Sequence, residues 1–298
     1  MIQFLVDVVV RSVDLALIAI AVSSVYALIR FPNVALVQYA TSGALIAIWL
    51  QSLGLPLSAA AAVACLATGF MAVALNVALF ERVLKSGGSA TALVASLGLS
   101  MVFSAVFLVT AGPRPQRFEM EIAPPIRFWG ARMTEHQLVS LSISALAILV
   151  FALILFRTDL GRTMRATATN PVLADGSGIN TRKVTNVVVL LSGILAALGG
   201  ISIAVKGETS AHLGMDMLLP IFAAAILGGL GNPLGAVFGA IVIAVAETLV
   251  TNINFGPLIG QSFYFIPAAY ATAASFVLLV IVLLVRPYGL FVSEVKRV

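Results

Sequence analysis

A chain of 298 residues with 61% hydrophobic and only 10% charged side chains is not an ordinary soluble domain, in which about a quarter of residues are charged. The net charge of +5 does not indicate a nucleic-acid partner, because Lys and Arg stand at the ends of apolar runs, where membrane topology accounts for them. Residues 31–80, 86–113, 136–156, 184–205, 217–246 and 248–285 contain no Asp, Glu, Lys or Arg. A span needs about 20 apolar residues, and a charge at its centre costs about 2.5–3.5 kcal/mol on insertion scales. The runs are continuous rather than alternating, which argues against a transmembrane β-barrel. The expected fold is an all-α, polytopic transmembrane bundle of about 8–10 spans with broken or re-entrant segments, forming a single domain over residues 1–298.

The N-terminus, Met1-Ile2-Gln3-Phe4, lacks a basic region and an Ala-x-Ala-like cleavage site, so no removable signal peptide is expected. A first span is predicted at about 13–29, ended by Phe31-Pro32-Asn33. A second runs over about 34–53, and Gly54-Leu55-Pro56 separates it from a third that continues to Phe80. Residues 81–89 read as a short polar loop, 90–111 as a fourth span, and 112–137 as a long loop rich in Pro and mixed charge. A fifth span at 138–156 leads into a basic segment over about 157–183, and a sixth covers 184–205. Beyond 206–216, two shorter apolar stretches are joined by Gly228-Gly229-Leu230-Gly231-Asn232-Pro233, and the last span ends at Arg286 before a tail with Lys296 and Arg297. The single cysteine, Cys65, has no disulfide partner in the chain and reads as a small packed side chain. If the basic segment is cytoplasmic, eleven of the 17 Lys and Arg residues fall on that side, which predicts a cytoplasmic C-terminus. Nine crossings would put the N-terminus outside.

Catalytic patterns are absent from the sequence. His136 and His212 are far apart with no metal-ligand spacing, so no metal site is expected. The segment from Gly228 to Gly235 is not followed by Gly-Lys-Ser/Thr and cannot be a phosphate loop. No cofactor is expected, and any energised work would draw on a gradient or on another subunit. A gradient-driven carrier usually needs ionisable groups within the membrane. Glu247 is the one acid well inside an apolar stretch, and its neighbours Thr251-Asn252 suggest an interfacial carboxylate, with a pathway-facing or inter-helix role as the alternative. Residues 30–43 and 219–239, the latter with Pro220, Gly228, Gly229, Gly231, Pro233 and Gly235, look like interrupted helices. Such interruptions can line a translocation path or simply let helices pack closely; both readings stand.

The basic segment has a pattern of its own. Arg162, Arg165 and Thr169 recur at helical spacing, which makes one face of a helix cationic while Met164 and Ala168 lie elsewhere. Asn170-Pro171 is a good helix start and Gly176 and Gly178 a stop, predicting a short capped helix on the cytoplasmic surface; on these grounds alone an ordinary basic loop that only obeys topology stands beside it.

Gly161-Arg162-Thr163-Met164-Arg165-Ala166-Thr167-Ala168-Thr169-Asn170-Pro171, with Ala174 and Ser177-Gly178-Ile179-Asn180, resembles the cytoplasmic loop of the permease subunits of bacterial branched-chain amino acid ABC importers. Tyr26-Ala27-Leu28-Ile29-Arg30-Phe31-Pro32-Asn33, the stretch from Ala225 to Ala236, and Leu284-Val285-Arg286-Pro287-Tyr288-Gly289-Leu290-Phe291 match the same family in order. The length and N-terminal pattern are similar to the H-type permease rather than its longer M-type partner. The resemblance implies a non-enzymatic subunit of the inner membrane that pairs with a second permease, homologous or identical. Two cytoplasmic ATPases would dock on Gly161, Arg162, Met164, Arg165, Ala166, Asn170, Pro171, Leu173, Ala174 and Gly178, and a periplasmic or extracellular binding protein would deliver Leu, Ile, Val or a similar amino acid or amide. Family members commonly carry Asn-Phe-Ala-His-Gly-Glu where this chain has Asn33-Val34-Ala35-Leu36-Val37-Gln38, which bears on the solute rather than the architecture. Asn33, Gln38, Thr41, Gly228, Gly229, Gly231, Asn232 and Glu247 are the candidate translocation-path residues. The rival expectation is a gradient-driven secondary carrier of small amino acids; an intramembrane hydrolase fails for want of a nucleophile–base pair.

Overall fold

The computed structural model describes residues 2–120, 124, 126–128, 130–253, 265–267 and 270–285. In chain order these form α1 (Ile2–Ile29), α2 (Ala35–Ser52), α3 (Leu57–Leu75) continued by a π-helical turn (Asn76–Phe80), α4 (Glu81–Ala111), a two-strand hairpin of β1 (Ile126–Phe128) and β2 (Ala131–Met133), α5 (Glu135–Arg157), α6 (Asp159–Thr169), α7 (Pro171–Gly176), α8 (Thr181–Lys206), α9 (Leu213–Asp216), α10 (Leu218–Leu227), α11 (Pro233–Asn252) and α12 (Ala271–Val285). The all-α bundle expected from the sequence is the observed fold. Among the described residues, Leu57–Ala111, Glu135–Arg157, Thr181–Lys206 and Pro233–Asn252 are long and apolar enough to cross a membrane.

The first helix is longer than the predicted 13–29 and occupies the centre of the bundle. Every residue from Leu15 to Val22 is buried, which is the signature of a helix enclosed on all sides. It packs against α11, α8, α10 and α5. The extension back to Ile2 carries Asp7 and Arg11 into helix, ahead of Asp14 at the start of the predicted span. This is tolerated because Asp14 and Arg11 each find an ionic partner, as described below.

Residues 81–89, read as a loop, are helical, and the turn is confined to Gly88 (φ 74°, ψ −172°), a conformation open to glycine but strained for other residues. Phe80 and Ala92 both pack on Phe31 and Ala35, whereas an unbroken helix would hold them about 18 Å apart. The chain therefore folds back at Gly88, so α3 and the second half of α4 are separate passes. The long loop also holds local order that its Pro content concealed, with Ile126, Arg127 and Phe128 paired antiparallel to Met133, Arg132 and Ala131.

Of the two interrupted segments, the first is a bend followed by a regular helix. Arg30 has φ 60°, residues 31–34 are non-helical, and α2 then runs 18 residues. The second is a broken helix. Here α9 has four residues and α10 ten, so α10 alone reaches only about 15 Å. Gly229 (φ 90°) and Gly231 (φ 89°) turn the chain, and Asn232 accepts from the Gly235 amide at 3.1 Å to cap α11. A Cβ at Gly228 would overlap the Gly235 backbone, and one at Gly239 would overlap the Ala224 carbonyl. The α10–α11 hairpin is thus closed backbone to backbone.

The same closeness holds α8 against its neighbours. A Cβ at Gly200 would overlap the Ala40 carbonyl, at Gly193 it would lie 2.9 Å from Ala72 Cβ, and at Gly199 2.6 Å from Ile18 Cγ1. Lipid tails are as apolar as leucine, so helices gain little by hiding apolar surface from them, and small residues that admit close approach must provide the packing.

Several contacts sort the chain into two ends. Arg30 donates to the Ala168 carbonyl and Arg182 pairs with Glu81, grouping Arg30, residues 81–88 and the segment 157–183 at one basic end. Gln51 bonds Glu119 and Gln116 bridges Thr209 at the other. The C-terminal tail with Arg286, Lys296 and Arg297, and most of the motif that begins at Leu284, lie outside the described residues. Gly200→Ala is expected to destabilise the protein by about 1–3 kcal/mol, the usual cost of forcing volume into a tight contact. Gly98→Ala, where a Cβ meets nothing within 4 Å, is expected to be neutral or mildly stabilising. Thermal unfolding of the purified variants in one detergent distinguishes them.

Candidate functional site

Three regions carry polar chemistry in an otherwise apolar bundle. The first is a seam between α2, α4 and α9. On α4, Ser96, Ser100 and Ser104 recur every four residues and so share one face. Ser96 Oγ accepts from the Val34 amide at 3.2 Å, and Gln38 Nε2 donates to Ser100 Oγ at 3.0 Å and to Ser104 Oγ at 3.2 Å. Thr41 Oγ1 accepts from the Gly214 amide at 2.8 Å, which fastens the broken segment to α2. Ser100 also donates to Met215 Sδ at 3.6 Å. Gln38 and Thr41 are buried, so the seam is closed here. Gln38 Oε1 and Asn33 Oδ1 are buried with no hydrogen-bond partner, a costly arrangement that native proteins seldom keep without use. No residue of the seam is ionisable.

The structure brings Gln38 and Thr41 of the sequence candidates together in this seam. Asn33 stands at its entrance, next to Val34. Gly228, Gly229, Gly231 and Asn232 lie in the α10–α11 turn, where Gly231 faces Ala27 and Tyr26. Sequence reasoning missed Ser96, Ser100, Ser104, Gly214 and Met215, although the four-residue serine spacing in a charge-free run was visible.

The second region is ionic. Glu247, expected near an interface, is 3% exposed and joins three helices: Arg11 Nε donates to it at 2.7 Å from α1 and Ser275 Oγ at 2.6 Å from α12. Of the two readings the sequence left open, these contacts match the inter-helix one: Arg11, about two and a half turns inside the unexpectedly long α1, supplies the counter-charge. Asp14, one turn further, accepts from Lys206 Nζ at 2.5 Å and Ser202 Oγ at 2.7 Å, and Ser202 continues to Ser140 at 2.8 Å. Both buried acids are thereby neutralised by partners within the chain. Neither touches the seam.

The third is the basic segment. Thr158 caps α6 by accepting from the Gly161 amide at 3.3 Å, and a Cβ at Gly161 would overlap the Leu155 carbonyl, so α6 doubles back tightly on the end of α5. Met164 is buried with Leu155, Val184 and Val188. Arg165 donates to the Leu155 carbonyl and lies 5.8 Å from the Phe156 ring centroid. Arg162 pairs with Asp159 at 2.6 Å in solvent, a contact worth little. Asn170 then accepts from the Leu173 amide at 3.1 Å to start α7, with Pro171 at its first position. Ala174 is buried, while Val172 is 81% and Leu173 68% exposed. Gly178 (φ 84°) ends the unit. The outcome is a rigidly seated support, α6, carrying a one-and-a-half-turn helix that presents two apolar side chains outward. Ala166 is exposed on α6.

A family described as the permease component of branched-chain amino acid transport systems matches residues 4–285, nearly the whole chain and all three regions. The chain belongs to this family. Relatives include the high-affinity branched-chain amino acid transport system permease protein LivH of Salmonella typhimurium, 28% identical over 224 residues, covering 73% of this chain and 69% of LivH. The corresponding protein BraD of Pseudomonas aeruginosa is 27% identical over 304 residues and covers 95% of this chain and 93% of BraD. Among solved structures, a chain of PsaBC from Streptococcus pneumoniae in complex with Fab superposes with a TM-score of 0.51 at 14% identity, covering 96% of this chain and 93% of that one; this likeness concerns the fold. Among the described residues no three His, Cys, Asp or Glu gather as a metal site.

Arg11→Leu is expected to destabilise this permease by about 2–3 kcal/mol, somewhat below the cost of breaking a fully buried pair, because Arg11 keeps about a quarter of its side chain exposed. Arg11→Leu combined with Glu247→Leu is expected to recover most of that loss, since no unpaired charge remains. Unfolding midpoints of the two variants decide whether the pair acts as an inter-helix clamp.

Proposed function

We propose that this permease is the membrane-spanning pore subunit of an ATP-driven importer for branched-chain or similar small amino acids, with its basic end in the cytoplasm. The observation that carries the proposal is α7, a capped helix that holds Val172 and Leu173 in water beyond the apolar bundle while α6 anchors it to α5 and α8. An apolar pair on a rigid, exposed helix is a docking element, and one of two ATPase subunits is its occupant. A second permease, homologous or identical, completes the pore, and a binding protein supplies solute at the opposite end. Gly161, Arg162, Met164, Arg165, Ala166, Asn170, Pro171, Leu173, Ala174 and Gly178 then form the coupling unit. Arg30, at the bend between α1 and α2, links it through the Ala168 carbonyl to the helix that carries Gln38 and Thr41.

The seam of Asn33, Gln38, Thr41 and the three α4 serines is the proposed path. It contains hydrogen-bonding groups but no fixed charge, so a solute of zero net charge bearing both donors and acceptors suits it, as a zwitterionic amino acid does. An ion of one sign would pay desolvation without a counter-charge. In the same reading Gly228, Gly229, Gly231 and Asn232 shape the turn beside the path, and Glu247 steadies the bundle around it.

Two experiments test this reading. Leu173→Pro, which removes the amide that Asn170 caps at a cost of about 0.5–2 kcal/mol of local helix stability, and Leu173→Asp, which keeps that amide but puts a charge on the exposed apolar face, are both expected to abolish solute-stimulated ATP hydrolysis and uptake by the reconstituted complex. Wild-type rates for either would remove α7 from coupling. In a Cys65→Ala background, Ser177→Cys is expected to resist an impermeant thiol reagent in intact cells while Ser52→Cys is labelled; the reverse pattern would invert the orientation.

A further inference from the structure

A fourth polar feature lies apart from the seam, the ion pairs and α7. Between α3 and α8 at the basic end is a cleft of about 420 Å³, bounded by Phe70, Val73, Val187 and Leu190 below and by Asn180, Lys183 and Asn186 above. Phe70 is 64% exposed. Its wall belongs to two stretches long and apolar enough to cross a membrane, which sets the apolar part of the cleft beside bilayer lipid.

The lip is built for an anion. Arg182, also at the cleft, is held by Glu81 through Nη2–Oε2 at 2.8 Å and Nε–Oε1 at 3.1 Å. That leaves Lys183 as the uncommitted cation: among the described residues no carboxylate pairs with it. Asn76, at the start of the π turn, donates to Asn186 Oδ1 at 2.9 Å. This occupies the Asn186 carbonyl and leaves its NH₂ group as the available side. Asn180 Oδ1 is likewise taken by the Lys183 amide at 2.9 Å, again leaving NH₂. One ammonium and two amide donors therefore edge the cleft. Leu190 lies about 10 Å deeper along α8, which is the offset between a phosphate and the upper part of an acyl chain.

We propose that the α3–α8 cleft binds an anionic phospholipid of the adjoining leaflet, its phosphate on Lys183, Asn180 and Asn186 and an acyl chain along Phe70, Val73 and Leu190. Basic pockets between spanning helices commonly hold such headgroups. The inference needs only the membrane location of the chain and stands whether or not the transport reading holds.

The test uses the purified full-length permease complex, stripped of lipid and titrated with phosphatidylglycerol or phosphatidylcholine, with retained lipid counted by native mass spectrometry and the thermal midpoint followed in parallel. Phosphatidylglycerol is expected to be retained and to raise the midpoint, with phosphatidylcholine much weaker. Lys183→Gln is expected to weaken phosphatidylglycerol retention about fivefold, the worth of one cation near a charged leaflet. Asn186→Leu is expected to weaken it further. Lys85→Gln, an equal charge loss at the same end but outside the cleft, is expected to leave retention unchanged. Equal retention of the two lipids, an unchanged Lys183→Gln variant, or an equal loss in Lys85→Gln would overturn the proposal. Full replacement of the lipid effect by inorganic phosphate would overturn it in favour of a free-anion site.

Discussion

Close approach of helix backbones is the constraint on which the rest of this molecule depends. In lipid, apolar side chains are no better off against each other than against acyl chains, so association rests on packing and on satisfied polar groups. Gly200 against the Ala40 carbonyl sets how near α2 comes to α8, and the Gly228–Gly235 contact sets how near α10 comes to α11. These distances determine where Gln38, Thr41 and Gly214 stand. If α2 moved outward by the width of a methyl group, the Gly214–Thr41 hydrogen bond of 2.8 Å would be lost and the broken segment would come away from α2.

The ionic groups divide the labour differently from what their rarity suggests. Asp14 and Glu247 are both buried, yet both are spent on holding helices together: α1 to α8 and α5 in one case, α1 to α11 and α12 in the other. Charges within a membrane are costly and persist when paired, and here the pairing makes α1 a common strut. The seam by contrast keeps only neutral groups and leaves Gln38 Oε1 without a partner. Helix-to-helix clamping is carried by charge, and the proposed path is lined by amides and hydroxyls.

The proposed coupling unit, α6 and α7, is joined to the rest of the bundle by few contacts. Met164 seats α6 in a small apolar cluster with Leu155, Val184 and Val188, Arg165 fastens it to the end of α5, and Arg30 connects its far end to the bend before α2. That bend is at φ 60°, a conformation costly for a residue with a side chain. The charge-assisted bond to Ala168 helps to hold it there. Displacement of α7 would therefore reach α2 through a short path of one helix and one side chain.

Much of this was legible from the chain alone, and for definite reasons. Long charge-free runs specify spanning helices because the bilayer penalises charge locally, and Asn170-Pro171 specifies the start of α7 because capping involves only residues within one turn. The motif around Gly161 and the glycine-rich stretch after Leu227 identified the family. Local chemistry could not tell where Arg11 and Asp14 would find partners, since Glu247 and Lys206 lie roughly 200 residues away or more in sequence; hence α1 was expected to be shorter, and an interfacial and an inter-helix role both stood open for Glu247. Nor could it assemble the seam, whose members come from three separated segments brought together by the approach of α2 to α8. Membrane insertion, helix caps and family were determined by the sequence itself, through interactions between near neighbours. The pairing of charges and the meeting of Gln38 with Ser100 and Gly214's helix with Thr41 were decided only by the tertiary structure, because each depends on how closely distant backbones can pack.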